Sequence, residues 1–273
     1  MSNKFHMGFF TNYAVPDGWW GPWGAQDAYD WQSGEFHIDF IRNAERACFD
    51  LMILEDAVMV SDVYGGNFDI ELRHAAEAPK LDPIMLAPLL ARATKHIGII
   101  PTISTSLYKP FQAARVLSTL DHQSGGRAGW NIVTTSEDSA AQNFGMDRLP
   151  PHDKRYDWAD EFVEVCEKLW SSWDDDALVA DRHTRTYVDG SKVRHINHTG
   201  EFFSSRGPLN ALSSPQKRPV YCQAGSSPRG REFAAQHADV LLTQAVGLEQ
   251  MKEFRDHVRR RAGGEGAGGG RAG

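Results

Sequence analysis

Short apolar runs recur along the chain and alternate with longer segments whose apolar residues have helical spacing. The runs that we interpret as strands cover residues 5–10, 51–54, 97–103, 128–133, 220–224 and 240–244. Strands without polar alternation are typical of sheets that are buried on both faces. The pattern therefore predicts a parallel sheet covered by helices, either an open doubly wound sheet or a (β/α)8 barrel.

Polar residues collect where five of these strands end. They are Glu55 and Asp56, the run 102–106, Asn131 and Thr134, Ser226 and Ser227, and Gln244. Ligands of both candidate folds bind at the carboxyl ends of the strands, so we expect a binding site there. Asp56 fits two roles equally well, an acid–base group and a cap for the following turn.

The fifth strand leads directly into a helix start at Gly225, Ser226, Ser227 and Pro228. Ser226 or Ser227 is expected to be the N-cap, and Pro228 suits the first helical position. Hydroxyls and free backbone N–H groups at a helix N-terminus bind anions, phosphate in particular. A helix cap that binds nothing explains the same residues, so the local pattern leaves both interpretations open.

The domain organisation is predicted from the length and from two interruptions of the pattern. One domain is expected over residues 1–262, because a chain of 273 residues can bury one large core. Residues 174–219 interrupt the alternation and are interpreted as an insertion, with a hairpin at 187–193 that turns at Asp189 and Gly190. The Gly-rich residues 263–273 are expected to form a disordered tail.

Composition argues against several classes of partner. The net charge of −7 disfavours nucleic acid and anionic membranes. No apolar run reaches the roughly 18 residues of a membrane span, and the first residues lack a signal-peptide core, so a cytoplasmic protein is expected. His183, His195 and His198 lie in the insertion without Cys or carboxylates at ligand spacing, so no metal site is predicted.

A series of motifs adds a resemblance to a known family. The motifs are Gly-Trp-Asn-Ile-Val-Thr-Thr at 129–135, Asn-Phe-Gly at 143–145, His-x-x-Arg-Tyr at 152–156, the run 193–203, Gly-Pro-Leu at 207–209, Ser-Pro-Gln at 214–216 and Gln-Ala-Gly-Ser-Ser at 223–227. Through them the chain, from about residue 4 to 258, resembles the bacterial luciferase-like flavin monooxygenases. Within that family it is most similar to the group that contains the large component of nitrilotriacetate monooxygenase, dibenzothiophene-sulfone monooxygenase and pristinamycin synthase.

The resemblance implies a TIM-like (β/α)8 barrel and an FMNH2-dependent monooxygenase that uses O2 to oxygenate a small organic substrate. A separate NAD(P)H:flavin reductase would supply the reduced FMN, and a homo-oligomer is expected. Carried over residue by residue, the positions expected to contact the flavin are Asp56, Thr102, Asn131, His152, Tyr156, Ser226 and Ser227.

Two departures from the family pattern matter. Some members carry a His just after the Asn-Ile-Val-Thr run, where this chain has Ser136, Glu137 and Asp138, so no catalytic residue is assigned. Members also continue through two further strand–helix units, so we expect a barrel truncated after six units. Two alternatives remain: a truncated noncatalytic flavin-binding fragment or pseudoenzyme, and an oxidoreductase that depends on the deazaflavin F420.

Overall fold

The computed structural model describes residues 6–15, 19–20 and 27–265. Its strands, in chain order, are Gly8–Asn12 (β1), Leu51–Glu55 (β2), Gly98–Ser104 (β3), Gly129–Val133 (β4), Leu178–Asp181 (β5), Thr186–Val188 (β6), His198–Thr199 (β7), Ser204–Ser205 (β8), Val220–Gln223 (β9) and Val240–Leu241 (β10). Six of them form one sheet in the order β1-β2-β3-β4-β9-β10, and every pairing in it is parallel. The predicted alternation of parallel strands with helices is confirmed.

The α-helices that follow or precede these strands are Asp27–Asp30 (α1), Glu35–Arg46 (α2), Asp69–His74 (α3), Pro83–Ala93 (α4), Pro110–Ser124 (α5), Asp138–Gln142 (α6), His152–Trp170 (α7), Pro228–His237 (α8) and Leu248–Glu265 (α9). Helix α9 includes residues 263–265 of the expected tail, and residues 266–273 lie outside the described residues. No helix in the described part of the chain is long and apolar enough to cross a membrane.

The first strand lies further along the chain than the apolar run at 5–10 suggested. β1 pairs with β2 so that Gly8 is opposite Leu51 and Asn12 is opposite Glu55. The register between two strands depends on both of them, so the apolar run at 5–10 does not by itself determine where β1 begins and ends. The shift has a functional consequence, because it brings the end of β1 level with the polar end of β2.

The sheet curls, and a glycine on β4 allows the curl. Ile53 of β2, Ile100 of β3 and Cys222 of β9 form one buried cluster on the inner face, although β4 lies between β3 and β9. Ile100 of this cluster packs against Gly129 of β4, and a Cβ added to Gly129 would lie only 2.5 Å from Cγ1 of Ile100. A side chain at residue 129 would therefore force the inner face apart.

Helices pack on the outer face in two further apolar clusters. One cluster joins α5 and α7 to the central strands and contains the fully buried rings of Trp130, Phe162 and Tyr221. The other joins α2 and α4 to β2 and contains Leu54 and Leu86. Two covered faces explain why these strands have almost no polar residues until they end.

The first residues of α4 show how local sequence starts a helix. Asp82 is the N-cap, and its side-chain oxygen accepts a hydrogen bond from the backbone N–H of Ile84 at 2.8 Å. Pro83 occupies the first helical position, where no N–H is needed.

Residues 174–219 form the expected insertion between α7 and β9. It holds two small antiparallel pairs, β5 with β6 and β7 with β8, and neither belongs to the main sheet. The predicted hairpin at 187–193 is wrong in position, because β6 pairs back with β5 and the chain turns at 182–185. Asp189 instead begins a 3-10 turn and accepts a hydrogen bond from the backbone N–H of Ser191.

Candidate functional site

A cavity of about 1210 Å³ lies at the carboxyl ends of the parallel strands. All seven residues that the family motifs singled out line it: Asp56, Thr102, Asn131, His152, Tyr156, Ser226 and Ser227. They come from three neighbouring strands, β2 to β4, and from the starts of α7 and α8, so only the curled sheet brings them together. Their contact with a flavin stays a prediction, and their convergence on one cavity is an observation.

A short hydrogen-bond chain fixes the floor of the cavity. The hydroxyl of Thr102 donates to the carbonyl oxygen of Leu54 at 2.7 Å and accepts from Nδ2 of Asn131 at 2.8 Å. Asn131 is 3% exposed, and its Oδ1 has no hydrogen-bond partner among the described residues. A buried acceptor without a partner is costly, so this oxygen is suited to a ligand that brings an N–H or O–H donor.

The start of α8 forms a second wall. Ser227 is the N-cap, and its Oγ accepts a hydrogen bond from the backbone N–H of Gly230 at 3.0 Å. Ser226, which precedes it, is exposed. Added Cβ atoms at Gly225 and Gly230 would lie 2.9 Å and 2.7 Å from Oη of Tyr156. The two glycines therefore let the Tyr156 hydroxyl reach the helix start, where the backbone dipole favours an anion.

The start of α7 contributes an aromatic pair and a cation. The rings of His152 and Tyr156 are 5.2 Å apart, with His152 on the exposed side and Tyr156 buried. Between them Arg155 lines the cavity and donates to the carbonyl oxygen of Thr135. Its Nε is buried and has no hydrogen-bond partner in the described part of the chain. Arg155 thus has one hydrogen-bond donor near the start of α7 that is not used within the described part of the chain.

The fold moves the pKa of Asp56, which lines the cavity, into the range near neutral pH. Burial, followed by the negative charges of Asp82 and Glu55, raises its pKa to about 7. Burial and the carboxylates of Asp82 and Asp56 also raise the pKa of Tyr108, another lining residue, to about 12. Asp56 therefore changes its charge near neutral pH, which is the range in which an acid–base group is effective.

Residue-by-residue prediction missed several lining side chains, among them Gln223, Arg231, Tyr108 and Arg155. Arg155 lies inside the His-x-x-Arg-Tyr motif, so its position in that motif was the available signal. Gln223 is the first residue of the Gln-Ala-Gly-Ser-Ser motif at 223–227, and the other two carry no distinctive local pattern. Among the described residues, no group of three or more His, Cys, Asp or Glu side chains is arranged to hold a metal ion.

Comparison with known proteins identifies the family that this chain resembles. A model of the luciferase-like monooxygenase family matches residues 18–272. The dibenzothiophene-sulfone monooxygenase of Rhodococcus erythropolis is 44% identical over 234 residues, which are 85% of this chain and 52% of that protein. The chain thus spans about half the length of that curated relative.

Solved structures agree with the sequence comparison. The crystal structure of a long-chain alkane monooxygenase has a TM-score of 0.91 at 40% identity, over 97% of this chain and 62% of that one. The crystal structure of a riboflavin lyase with modified FMN and riboflavin has a TM-score of 0.89 at 35% identity, over 96% of this chain and 59% of that one. The predicted TIM-like fold is confirmed, with six of its strands in the described residues. Because the family model covers almost the whole chain, the chain belongs to the luciferase-like monooxygenase family.

Proposed function

We propose that this chain binds reduced FMN as the large component of a two-component monooxygenase, which uses O2 to oxygenate a small organic substrate. The observation that carries the proposal is the convergence of the seven motif residues on one cavity at the strand ends. An NAD(P)H:flavin reductase is the proposed source of FMNH2. A cytoplasmic location is part of the proposal because that reductase draws on NAD(P)H.

The residues present fit such a cofactor. The helix start at Ser227 and the exposed Ser226 suit the phosphate, and the two neighbouring glycines admit the Tyr156 hydroxyl beside it. At the other side, the unpartnered Oδ1 of Asn131 suits an N–H of the flavin ring. Both ends of the cofactor thus have complementary groups in one cavity.

The chemistry that reduced FMN would supply is the two-electron activation of O2. The chain's own residues have positioning tasks. Ser226, Ser227 and Arg155 would hold the anionic end, and the hydrogen-bonded pair of Thr102 and Asn131 would fix the orientation of the ring. Asp56, with its pKa of about 7, would hold or release a proton at its carboxyl oxygens within the same cavity.

Anaerobic binding of reduced FMN and reduced riboflavin tests the phosphate assignment. The double variant Ser226→Ala, Ser227→Ala is expected to lose about 1–3 kcal/mol of FMN binding, because charge-assisted hydrogen bonds to the phosphate disappear. Its affinity for riboflavin, which has no phosphate, is expected to stay unchanged. An equal loss for both flavins would show that these serines do not recognise the phosphate.

A second variant separates phosphate binding from helix capping. Ser227→Asp keeps an N-cap residue as good as Ser, so the stability of α8 is expected to change by only a few tenths of a kcal/mol. Its negative charge, however, would oppose the phosphate. We therefore expect Ser227→Asp to weaken FMN binding at least as much as the alanine variant, with riboflavin again unaffected.

Oxygenation distinguishes an enzyme from a flavin-binding fragment. With a flavin reductase, NADH and 18O2, the full chain is expected to incorporate labelled oxygen into a sulfur, amine or alkane compound. A flavin reductase reaction without this chain is the control for uncoupled peroxide formation. If a broad panel of compounds gives only hydrogen peroxide while FMN binds as expected, the noncatalytic alternative is correct for this chain.

A further inference from the structure

A buried amide at the end of β9 has a hydrogen-bond donor that the chain itself does not use. Gln223 is 3% exposed and lines the candidate cavity. Its Oε1 accepts a hydrogen bond from the backbone N–H of Gly225 at 2.7 Å. Because an N–H group needs an oxygen as its acceptor, the other terminal atom of the side chain is the NH2 group. This Nε2 has no hydrogen-bond partner among the described residues, so it is suited to an acceptor that a ligand brings.

The two glycines at the start of α8 show which groups surround this amide. A Cβ added to Gly225 would lie 2.4 Å from Nε2 of Gln223 and 2.9 Å from Oη of Tyr156. A Cβ added to Gly230 would lie 2.7 Å from the same Oη and 3.0 Å from Oγ of Ser227. Tyr156 is 6% exposed, and in the described part of the chain its hydroxyl has no hydrogen-bond partner either. Two buried side chains therefore bring unused donors to one helix start.

Arg231 adds a cation at the same place. Its Nε donates to the carbonyl oxygen of Ser226 at 2.8 Å, and its guanidinium carbon lies 5.3 Å from the ring centroid of Phe254 on α9. These two contacts hold the side chain where it lines the cavity. Its two terminal NH2 groups have no partner within the described residues. A guanidinium held in this way presents a forked pair of donors, which matches the oxygens of a phosphate.

The charge of Arg231 is not cancelled by a carboxylate. Arg229, on the same helix, is paired with Asp157 and Asp160. Arg231 forms no ion pair in the part of the chain that the structure describes, not even with Glu253, which also lines the cavity from α9. Of these two arginines, only Arg231 therefore offers its charge to an anion in the cavity.

We propose, on the basis of the proposed function above, that Gln223 and Arg231 complete the phosphate site and make it specific for a phosphate monoester. Gln223 supplies a neutral donor and, through Gly225, holds the turn that leads into α8. Arg231 supplies a positive charge, which favours a doubly charged phosphate over a singly charged group of similar shape. The two residues therefore have different tasks, and their variants are expected to differ accordingly.

Phenyl phosphate and phenyl sulfate separate the two tasks. Both carry a tetrahedral anion on the same ring, and at about pH 7.5, above the second phosphate pKa of about 6, only the phosphate is mostly doubly charged. Dissociation constants are measured by ligand-observed NMR on the full chain without added flavin, so the result does not depend on recognition of the flavin ring. Phenyl phosphate is expected to bind about fivefold more tightly than phenyl sulfate, because its second charge adds to the attraction by Arg231.

Variants at the two positions test each task. Arg231→Gln is expected to weaken phenyl phosphate binding about tenfold and to remove its preference over phenyl sulfate, whereas Arg231→Lys keeps the charge and the preference. Gln223→Met has a similar length and is expected to weaken both probes severalfold and equally, because a neutral donor does not distinguish the two charges. Arg255→Gln removes an exposed arginine of α9 that does not line the cavity, and this matched control is expected to change neither constant. Circular dichroism of each variant establishes that it is folded.

The outcomes are distinct. This proposal is overturned if phenyl phosphate does not bind at millimolar concentration, if Arg231→Gln or Gln223→Met leaves both constants unchanged, or if Arg255→Gln has the effect of Arg231→Gln. If FMN still binds with the serine dependence described above, the proposed function survives such a result. The expected phenyl phosphate results in a chain that does not bind FMN would instead overturn the proposed function and support a site for another phosphate monoester.

Discussion

At the scale of single residues, Asp56 shows how the fold changes the chemistry of a side chain. Its carboxyl follows the buried strand β2, and burial together with Asp82 and Glu55 raises its pKa to about 7. A carboxyl with a raised pKa in the folded state stabilises the protein below its unfolded pKa, near 4. That contribution is lost as pH rises through the folded pKa, so the relevant window runs from about pH 4 to about pH 7.

Replacing Asp56 by Asn removes this titration while keeping the shape of the protonated side chain. We expect the free energy of unfolding of Asp56→Asn to equal that of the unmodified chain near pH 4 and to exceed it at pH 8 by about 1–3 kcal/mol. Urea denaturation at a series of pH values measures the difference. Asp62→Asn, an exposed change in the same segment, is the control and is expected to show no such pH dependence. A constant difference at every pH would contradict the argument.

At the scale of elements, the carboxylate of Glu161, which is partly buried, attaches the insertion to α7. Glu161 accepts hydrogen bonds from the backbone N–H groups of Phe202 and Phe203 at 2.9 and 2.8 Å, and it contacts His198 Nε2 at 3.2 Å. Although burial raises its pKa, these hydrogen bonds dominate and lower it. Gly200 allows the approach, because an added Cβ there would overlap with Glu161 Oε1.

The variant Glu161→Gln tests this attachment. It replaces one acceptor oxygen by an NH2 group that faces N–H donors, so we expect a loss of roughly 1–3 kcal/mol of unfolding free energy. Limited proteolysis is expected to cleave faster within residues 196–206, because the strands β7 and β8 would be held less firmly. Glu164→Gln, on the same helix and in an exposed ion pair with Lys168, is the matched control and is expected to lose less than about 1 kcal/mol. Equal proteolysis rates in both variants would refute the assignment.

At the scale of the whole molecule, the six-stranded sheet has β1 and β10 at its two edges among the described residues. Edge strands present unpaired backbone groups that pair readily with another chain. β1 also exposes Phe10, whose side chain is 47% accessible. We therefore expect self-association of this chain, in line with the predicted homo-oligomer.

Light scattering after size-exclusion chromatography measures this association as a function of concentration. A lysine on an edge strand disfavours pairing with a further strand, so Phe10→Lys is expected to shift the population toward monomer. Phe111→Lys removes an aromatic ring of similar exposure, 37%, from α5 and is expected to leave the distribution unchanged. A monomeric parent chain with one sharp, high-temperature unfolding transition would show that these edges do not drive association.

Local sequence determined much of the fold. The apolar runs predicted the strands, and Ser227 with Pro228 predicted a helix start, because capping needs only residues adjacent in the chain. The seven residues that the family motifs singled out all line the cavity, although several other lining residues were missed. These features depend on short-range interactions, which a sequence displays directly.

Tertiary structure decided the features that depend on distant parts of the chain. The register of β1 is set by β2, about forty residues later, and the turn of the insertion is set by the pairing of β5 with β6. The pKa of Asp56 depends on burial and on Asp82, and the unpartnered Oδ1 of Asn131 is apparent only once its Nδ2 is seen to bond Thr102. Charge state and hydrogen-bond satisfaction are sums over spatial neighbours, and those neighbours are known only when the chain has folded.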